Sequence, residues 1–429
     1  MDFLREAKKL RKQSLFRNAS LLIMSTAIMS VLGFGFWLFV AHLYSPEQVG
    51  VASALISIST LLSSLSMFGL DSGLIRFLPG SKNQSRDINT ALLTVGGLAA
   101  LAAVVYLTAA QIFDIDLADS FLWGGGWLLF TLIIVVATLN SLTDAVFIAN
   151  RKAEYHTIVY AVFGVVKLVL PIGLVGLGWL GIFAAYAMAA LVALILSFYY
   201  MVRVAGYRVS SPPNWGLIHS ARKYSFNNYI GTLLAGIPAQ LMPLIIIQRL
   251  GAAQAAYFAM SVTMANLLYV APSSVAQSLL AESAHQPRQR AQHVARAVKM
   301  LTLILVPAVF LAIVIAPYLL GIFGPQYARG STLLFQVLAL GTFFVAVSSV
   351  CNTVLNVEHR SGGIVVARVA LLVTTFVLTF ALLPLGLLGI GIAMTGGYAA
   401  SNIVYIFLFK NKPKADSSAP VTSSETTSL

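Results

Sequence analysis

The sequence predicts an all-α polytopic membrane protein: twelve transmembrane helices in two parallel six-helix halves around a central cavity. Three observations carry this expectation. Hydrophobic residues fill 59% of the 429 positions and charged ones 10%, with a mean hydropathy of +0.87, too apolar for a soluble core clothed in polar surface. Twelve apolar runs reach roughly the 20 residues that a helix needs to cross a bilayer. The second half of the chain repeats the first at an offset of about 207 residues.

The runs fall near residues 18–43, 47–76, 88–112, 121–149, 155–177 and 179–202, then 224–249, 253–281, 295–323, 329–356, 361–384 and 387–409. The first follows a basic segment ending at Arg17. It is too long for a signal peptide and lacks a small-residue cleavage site, so it reads as a retained helix. The second opens on the turn Ser45-Pro46-Glu47 and closes with Asp71, Arg76 and Pro79. At about 100° per residue, Gly69, Gly73 and Arg76 share one face, which a neighbouring helix can approach closely. Asp71 lies some 140° from Arg76 and cannot pair with it. The seventh run carries Asn227, Asn228, Gln240 and Gln248 together with Pro238 and Pro243, which predicts a kinked helix with polar groups turned from lipid. The eighth adds Asn266 and Pro272. Amides on such helices line a cavity or hydrogen-bond to a neighbouring helix.

The stretch 204–222, containing Ser210-Ser211-Pro212-Pro213, reads as a linker between an amino-terminal lobe (1–203) and a carboxy-terminal lobe (223–412). Residues 413–429 read as a disordered tail. Within the repeat, Leu43–Ala52 aligns with Leu250–Ala259, Asn150 with Asn356, and Leu177–Ile182 with Leu385–Ile390. Six spans per repeat is an even number, so both halves point the same way, related by an axis along the membrane normal. Basic residues then cluster on one side: Arg5 to Arg17, Arg76, Lys82, Arg86, Arg151, Lys152, Arg203, Arg208, Arg222, Lys223, Arg288 to Lys299, Arg360 and Lys410 to Lys414. Only Arg249 and Arg329 lie on the other. By the positive-inside rule both termini are expected in the cytoplasm, with the chain in the plasma (inner) membrane.

The net charge of +13 comes from these short clusters beside apolar runs, a topology and anionic-lipid signal and not a nucleic-acid footprint. The lone Cys351 forms no intramolecular disulfide and reads as a packing residue. A Walker A sequence, a metal-ligand spacing and a Gly-rich strand-to-helix loop are all missing, so no enzyme and no cofactor are expected.

Charges inside the apolar runs are the candidate functional groups. Lys167 stands near the middle of the fifth, where an ammonium costs about 3 kcal/mol on insertion scales and calls for a partner or a hydrated cavity. Pro171, one turn on, cannot donate to the carbonyl of Lys167. Lys167 therefore lines a cavity or pairs with Asp144 or a buried carbonyl. Asp144 itself is expected to pair with Arg151 or Lys152. Arg368, in the eleventh run, either lines the cavity or snorkels.

Leu43-Tyr44-Ser45-Pro46-Glu47 with Gly50, then Phe68-Gly69-Leu70 and Leu74-Ile75-Arg76-Phe77, resembles the first signature of the polysaccharide transporter (O-antigen flippase) family. That family is grouped with the multidrug and toxin extrusion transporters and the lipid II flippases. The resemblance implies a flippase that moves lipid-linked (polyprenyl diphosphate) oligosaccharide. Its partners would be membrane lipids, the polysaccharide polymerase and the chain-length machinery. Arg76, Lys167 and Arg368, with Gln240 and Asn266, would bind the substrate, and Asp71 and Asp144 would be the ion-coupling candidates. The alternatives are an ion-coupled multidrug or metabolite antiporter, which would favour buried carboxylates over these cations, and a non-transporting scaffold for envelope assembly. A transporter of the major facilitator type fits the span count, but the loop Arg76–Arg86 lacks that group's signature.

Overall fold

The computed structural model describes residues 24–25, 28–112, 126–209, 212–214, 216–285, 290–358 and 360–411. These form α1 (Ile28–Leu43), α2 (Pro46–Met67), α3 (Leu70–Phe77), α4 (Gln84–Ile112), α5 (Gly126–Ala149), α6 (Ala153–Gly173) and α7 (Trp179–Val204). The second half supplies α8 (Gly216–Leu250), α9 (Ala252–His285), α10 (Arg290–Val314), α11 (Ala316–Gly321), α12 (Pro325–Val357), α13 (Ser361–Ala381) and α14 (Leu387–Lys410). Eleven are long and apolar enough to cross a membrane, and α1 adds a shorter apolar helix. The tail read from the sequence lies outside the described residues.

The turn before α2 shows why the Ser-Pro-Glu motif stands where it does. Ser45 Oγ accepts from the Gln48 amide at 3.4 Å and Gln48 Oε1 from the Ser45 amide at 3.2 Å, a reciprocal cap. Pro46 occupies the first turn, where its missing N–H costs nothing, and Glu47 faces the positive end of the helix dipole. The other end corrects the reading of a single run through residue 76. Phe68 (φ 46°) and Gly69 (φ 76°) are both left-handed, so α2 stops at Met67 and α3 starts on a new axis. Tyr229 of α8 donates to the freed Leu65 carbonyl at 2.7 Å. The run 295–323 also breaks, between α10 and α11, where Pro317 opens the shorter helix.

The two halves repeat one another in backbone detail. Gly178 (φ 58°, ψ −138°) and Gly386 (φ 61°, ψ −139°) each follow a short 3₁₀ turn, Val175–Leu177 and Leu383–Leu385, and each opens the next long helix. Only glycine adopts that conformation without strain. Three residues on, a Cβ added at Gly181 would lie 2.2 Å from the Leu174 carbonyl oxygen. At Gly389 it would lie 2.0 Å from that of Leu382.

The lobes meet at the end opposite the basic loops. One apolar cluster there unites Phe36 and Val40 of α1, Val49 of α2, Met242 of α8, Ala256 of α9 and Tyr327 of α12. Gly50 is the closest approach: a Cβ added there would sit 1.8 Å from the Ala252 carbonyl oxygen, so α2 and α9 cross backbone to backbone. At the basic end each lobe keeps clusters of its own. Met67, Leu74, Val146 and Met201 make up one in the first lobe, and Val275, Leu301, Ala346 and Val350 one in the second. At that end α8 still reaches the first lobe, with the Tyr229 ring centroid 5.8 Å from that of Phe68.

The linker is strapped to the first lobe. Asn89 Nδ2 donates to the Val209 carbonyl at 3.0 Å, Arg86 Nε to that of Pro212 at 3.2 Å, and the Arg208 amide to Ser85 Oγ at 3.0 Å. Asn214 donates its amide to Thr90 Oγ1 at 2.6 Å and its side chain to buried Asp87 at 2.8 Å. The Tyr207 hydroxyl donates to Asn89 Oδ1, and burial raises its phenol above the usual range, keeping it a donor. Helix α8 begins at Gly216, inside the stretch read as linker.

Candidate functional site

Lys167 projects from α6 where that helix lies against α1. Gly164 makes the approach possible, since a Cβ there would lie 2.5 Å from Leu32 Cδ1. The ammonium lies 4.7 Å from the centroid of Phe36 and 5.4 Å from that of Phe163. Such cation–π contacts contribute about 2 kcal/mol when desolvated, less than the cost of bringing the charge in from water. Among the described residues no carboxylate neutralises it. Pro171 leaves the Lys167 carbonyl without its helical donor, and its own carbonyl accepts the Tyr44 hydroxyl at 2.6 Å.

The pairings expected for Asp144 are not the ones observed. Tyr160 donates its hydroxyl to Asp144 Oδ2 at 2.8 Å, and His156 Nε2 stands 3.8 Å from Oδ1. Both partners come from α6, four residues apart on one face, their rings stacked at 4.3 Å. Lys167 lies seven residues beyond Tyr160, about 10 Å along the axis, out of reach. Arg151, in the turn with φ 55°, is exposed and makes no ion pair with Asp144.

Asp71 and Arg76 are end charges of the short helix α3, an acid in its first turn and a base in its last, each complementing the dipole. Arg76 is exposed, 5.7 Å from the Phe77 ring centroid. Gly69 caps α3 and its carbonyl accepts from the Gly73 amide at 3.0 Å, so Gly69, Gly73 and Arg76 stay on one helix, but Gly73 is buried while Arg76 is exposed.

In the second lobe Arg368 of α13 is part-buried, and its Nε has no hydrogen-bond partner among the described residues. It acts electrostatically on Tyr398 and Tyr405 of α14. Tyr398 lines a cavity of about 130 Å³ with Asn266, Tyr269, Gly341 and Thr395, between α8, α9, α12 and α14. Gln240, next to lining residue Ala239, folds back over Gly236 with its Oε1 buried and unpartnered. Helix α8 is helical through both Pro238 and Pro243. The side chains of Asn227 and Asn228 lie outside the described residues, and Gln248 is exposed. Elsewhere α12 and α14 satisfy their own polar groups: Ser348 donates to Asn402 at 2.7 Å, and Asn402 to the Phe344 carbonyl at 3.0 Å.

His156, Tyr160, Tyr269 and Tyr398 were not singled out from the sequence. The first two were within reach of it. A hairpin turning near residue 151 places Asp144 opposite residues 156–160, and a histidine and a tyrosine spaced by four there share one face.

The sequence matches, over residues 39–332, the family described as polysaccharide biosynthesis protein. No curated protein matches it. Among solved structures, the lipid II flippase MurJ in an inward closed conformation superposes with a TM-score of 0.73 at 11% identity, covering 92% of this chain and 88% of that one. An inward-facing multidrug resistance MATE family transporter gives 0.68 at 14%, covering 89% and 93%. A eukaryotic MATE transporter gives 0.65 at 16%, covering 96% and 97%. The fold is thus that of helical, multi-pass membrane transporters.

Proposed function

The chain belongs to the polysaccharide biosynthesis protein family, and from that premise we propose that it is a flippase carrying lipid-linked (polyprenyl diphosphate) oligosaccharide across the plasma membrane by alternating access of its two lobes. The observation that supports this most is the pair of intramembrane cations, one per lobe. Lys167 is held by aromatic faces, and Arg368 has its Nε unpartnered. A diphosphate head group supplies the negative charge that both need. The polar groups of Gln240 and Asn266 suit passing sugars, and Arg76, exposed on the basic side, is placed to meet the head group first.

Loading is from the cytoplasm, with the basic loops and both termini on that side. Opening the other way requires the shared cluster around Tyr327 and the Gly50–Ala252 crossing to part while each lobe keeps its own core. Membrane lipids, the polysaccharide polymerase and the chain-length machinery are the partners in this reading.

Buried Asp144 favours the second reading, an ion-coupled multidrug antiporter, while the excess of intramembrane cations disfavours cationic drugs. Reconstitution into vesicles with a fluorescent polyprenyl diphosphate glycan separates the two. We expect protein-dependent translocation of that lipid. No translocation, together with export of cationic dyes, would replace the flippase by the antiporter.

A further inference from the structure

The contact between α5 and α6 near the basic end is rich in acceptors and short of donors. Tyr160 gives its one proton to Asp144 Oδ2. Asp144 Oδ1, Asn140 Oδ1 and His156 Nδ1 are all buried and have no hydrogen-bond partner among the described residues. Asn140 and Asp144 are one helical turn apart and share a face. His156 is 6% exposed. Its Nε2, at 3.8 Å from Asp144 Oδ1, is too far for a hydrogen bond and close enough to form one after a small shift.

Compensating charge does not come from the neighbours. Asp144 has no Lys or Arg within 4 Å among the described residues. On α6 the other ionisable groups at this end are Lys152, Glu154 and Tyr155, with the Tyr155 ring tilted against that of Tyr200 of α7. Helix α3 brings Asp71 and Arg76 as its own end charges, and α7 brings Tyr199 and Arg203. On α4, Arg86 and Asp87 are engaged by the linker strap. From α2 comes only Glu47, at the opposite end.

A carboxylate buried with a single donor is costly, and one added proton removes both the charge and the donor shortage. We propose that Asp144, His156, Tyr160 and Asn140 form a binding site for one proton. The proton comes from water on the basic side and bonds to Asp144 Oδ1 or to the imidazole, and it returns to water when the α5–α6 contact opens. No bond other than that O–H or N–H forms or breaks, and nothing is oxidised. The imidazole argues for a proton over an alkali cation, which needs a fuller shell of oxygens than Asn140, Asp144 and Tyr160 provide. The site stands on its own geometry, and its use as the coupling ion of transport rests on the flippase reading.

Infrared spectroscopy of the purified full-length protein under pH steps tests the site without any substrate. Between about pH 5 and 9, above the range of ordinary surface carboxylates, the parent should gain a carboxylic-acid carbonyl band on acidification. Asp144→Asn should lose that band, and Tyr160→Phe should keep it at a shifted frequency because its hydrogen bond is gone. A band unchanged in Asp144→Asn, or one that responds to sodium at fixed pH instead of to pH, overturns the proposal. Should Asp144→Asn fail to fold, the frequency shift in Tyr160→Phe decides: no shift means that the titrating carboxyl is elsewhere. Failure of the flippase reading would leave this result untouched.

Discussion

The two lobes share a backbone and differ in chemistry at matching places. Helices α6 (Ala153–Gly173) and α13 (Ser361–Ala381), like Gly178 and Gly386, match at an offset of 208 residues, which sets Asp144, His156 and Tyr160 against Asn352, Ile364 and Arg368. Where the first lobe buries a carboxylate, an imidazole and a phenol, the second sets the Asn352 amide, whose oxygen accepts from the Tyr405 hydroxyl, and the apolar side chain of Ile364. The second lobe instead holds a fixed cation, Arg368, and a web of amides between α12 and α14. Conserved turn geometry with diverged side chains means that the duplication fixes the backbone of the lobes, while each lobe is free to bind a different charge. A titratable anion in one and a permanent cation in the other is a division of labour that a symmetric pair of lobes would not have.

The largest effect expected from breaking this division is on Lys167, the first lobe's cation. Lys167→Gln should lower translocation of a fluorescent polyprenyl diphosphate glycan by more than about tenfold, the loss of one charge-assisted contact. Lys167→Arg should keep most of it, and insertion and thermal stability in detergent should stay near the parent's, because no acid depends on the ammonium. Arg368→Gln tests the other lobe in the same assay. Equal losses would mean that both cations meet the same head group. Substantial unfolding of Lys167→Gln would instead make that residue structural.

The twin turns sharpen the backbone side of the comparison. Gly181→Ala and Gly389→Ala each drive a methyl into a carbonyl oxygen at about the same distance, and each should cost about 3 kcal/mol. Thermal unfolding should rank the two variants equally. A difference of more than about 1 kcal/mol would show that the equivalence is geometric and not energetic.

The chemical side breaks with Cys351→Asp, which places a carboxylate beside Asn352, the counterpart of Asp144, in the apolar cluster around Leu355. It should destabilise the second lobe by about 3 kcal/mol, the insertion cost of an unpartnered charge. Asp144→Asn keeps an acceptor for Tyr160 and should stay within about 1 kcal/mol of the parent. If both substitutions were equally tolerated, the α5–α6 cluster would offer Asp144 no special environment.

Much of this architecture is written in the sequence because membrane helices announce themselves by length and apolarity, and the repeat because Leu-Gly-x-Leu-Gly-Ile recurs. The breaks at Phe68-Gly69 and near Ile315 were not legible, since an apolar run does not say whether its axis is continuous. The misassigned partners of Asp144 have a similar cause. Proximity in sequence pointed to Arg151 and Lys152, whereas the hairpin register presents the opposite helix, and Arg151 at the turn faces outward to water. Lys167 stood out by depth alone, yet its aromatic seat required knowing that α1 packs on α6 through Gly164.

The smallest effect concerns the linker, which belongs structurally to the first lobe and so makes the lobes unequal in mass as well as in charge. Asn214→Ala removes the side-chain bond to Asp87, while the Asn214 backbone still donates to Thr90. The cost should be about 1 kcal/mol. Because the strap is a series of separate bonds, its loss should be local. Deuterium exchange at the Arg208 amide, held by Ser85 Oγ, should quicken, while the core of α4 around Val95 stays protected. If exchange at Arg208 were already fast in the parent, the linker would not be held on α4, and the hinge between the lobes would begin at the end of α7 instead of beyond Asn214.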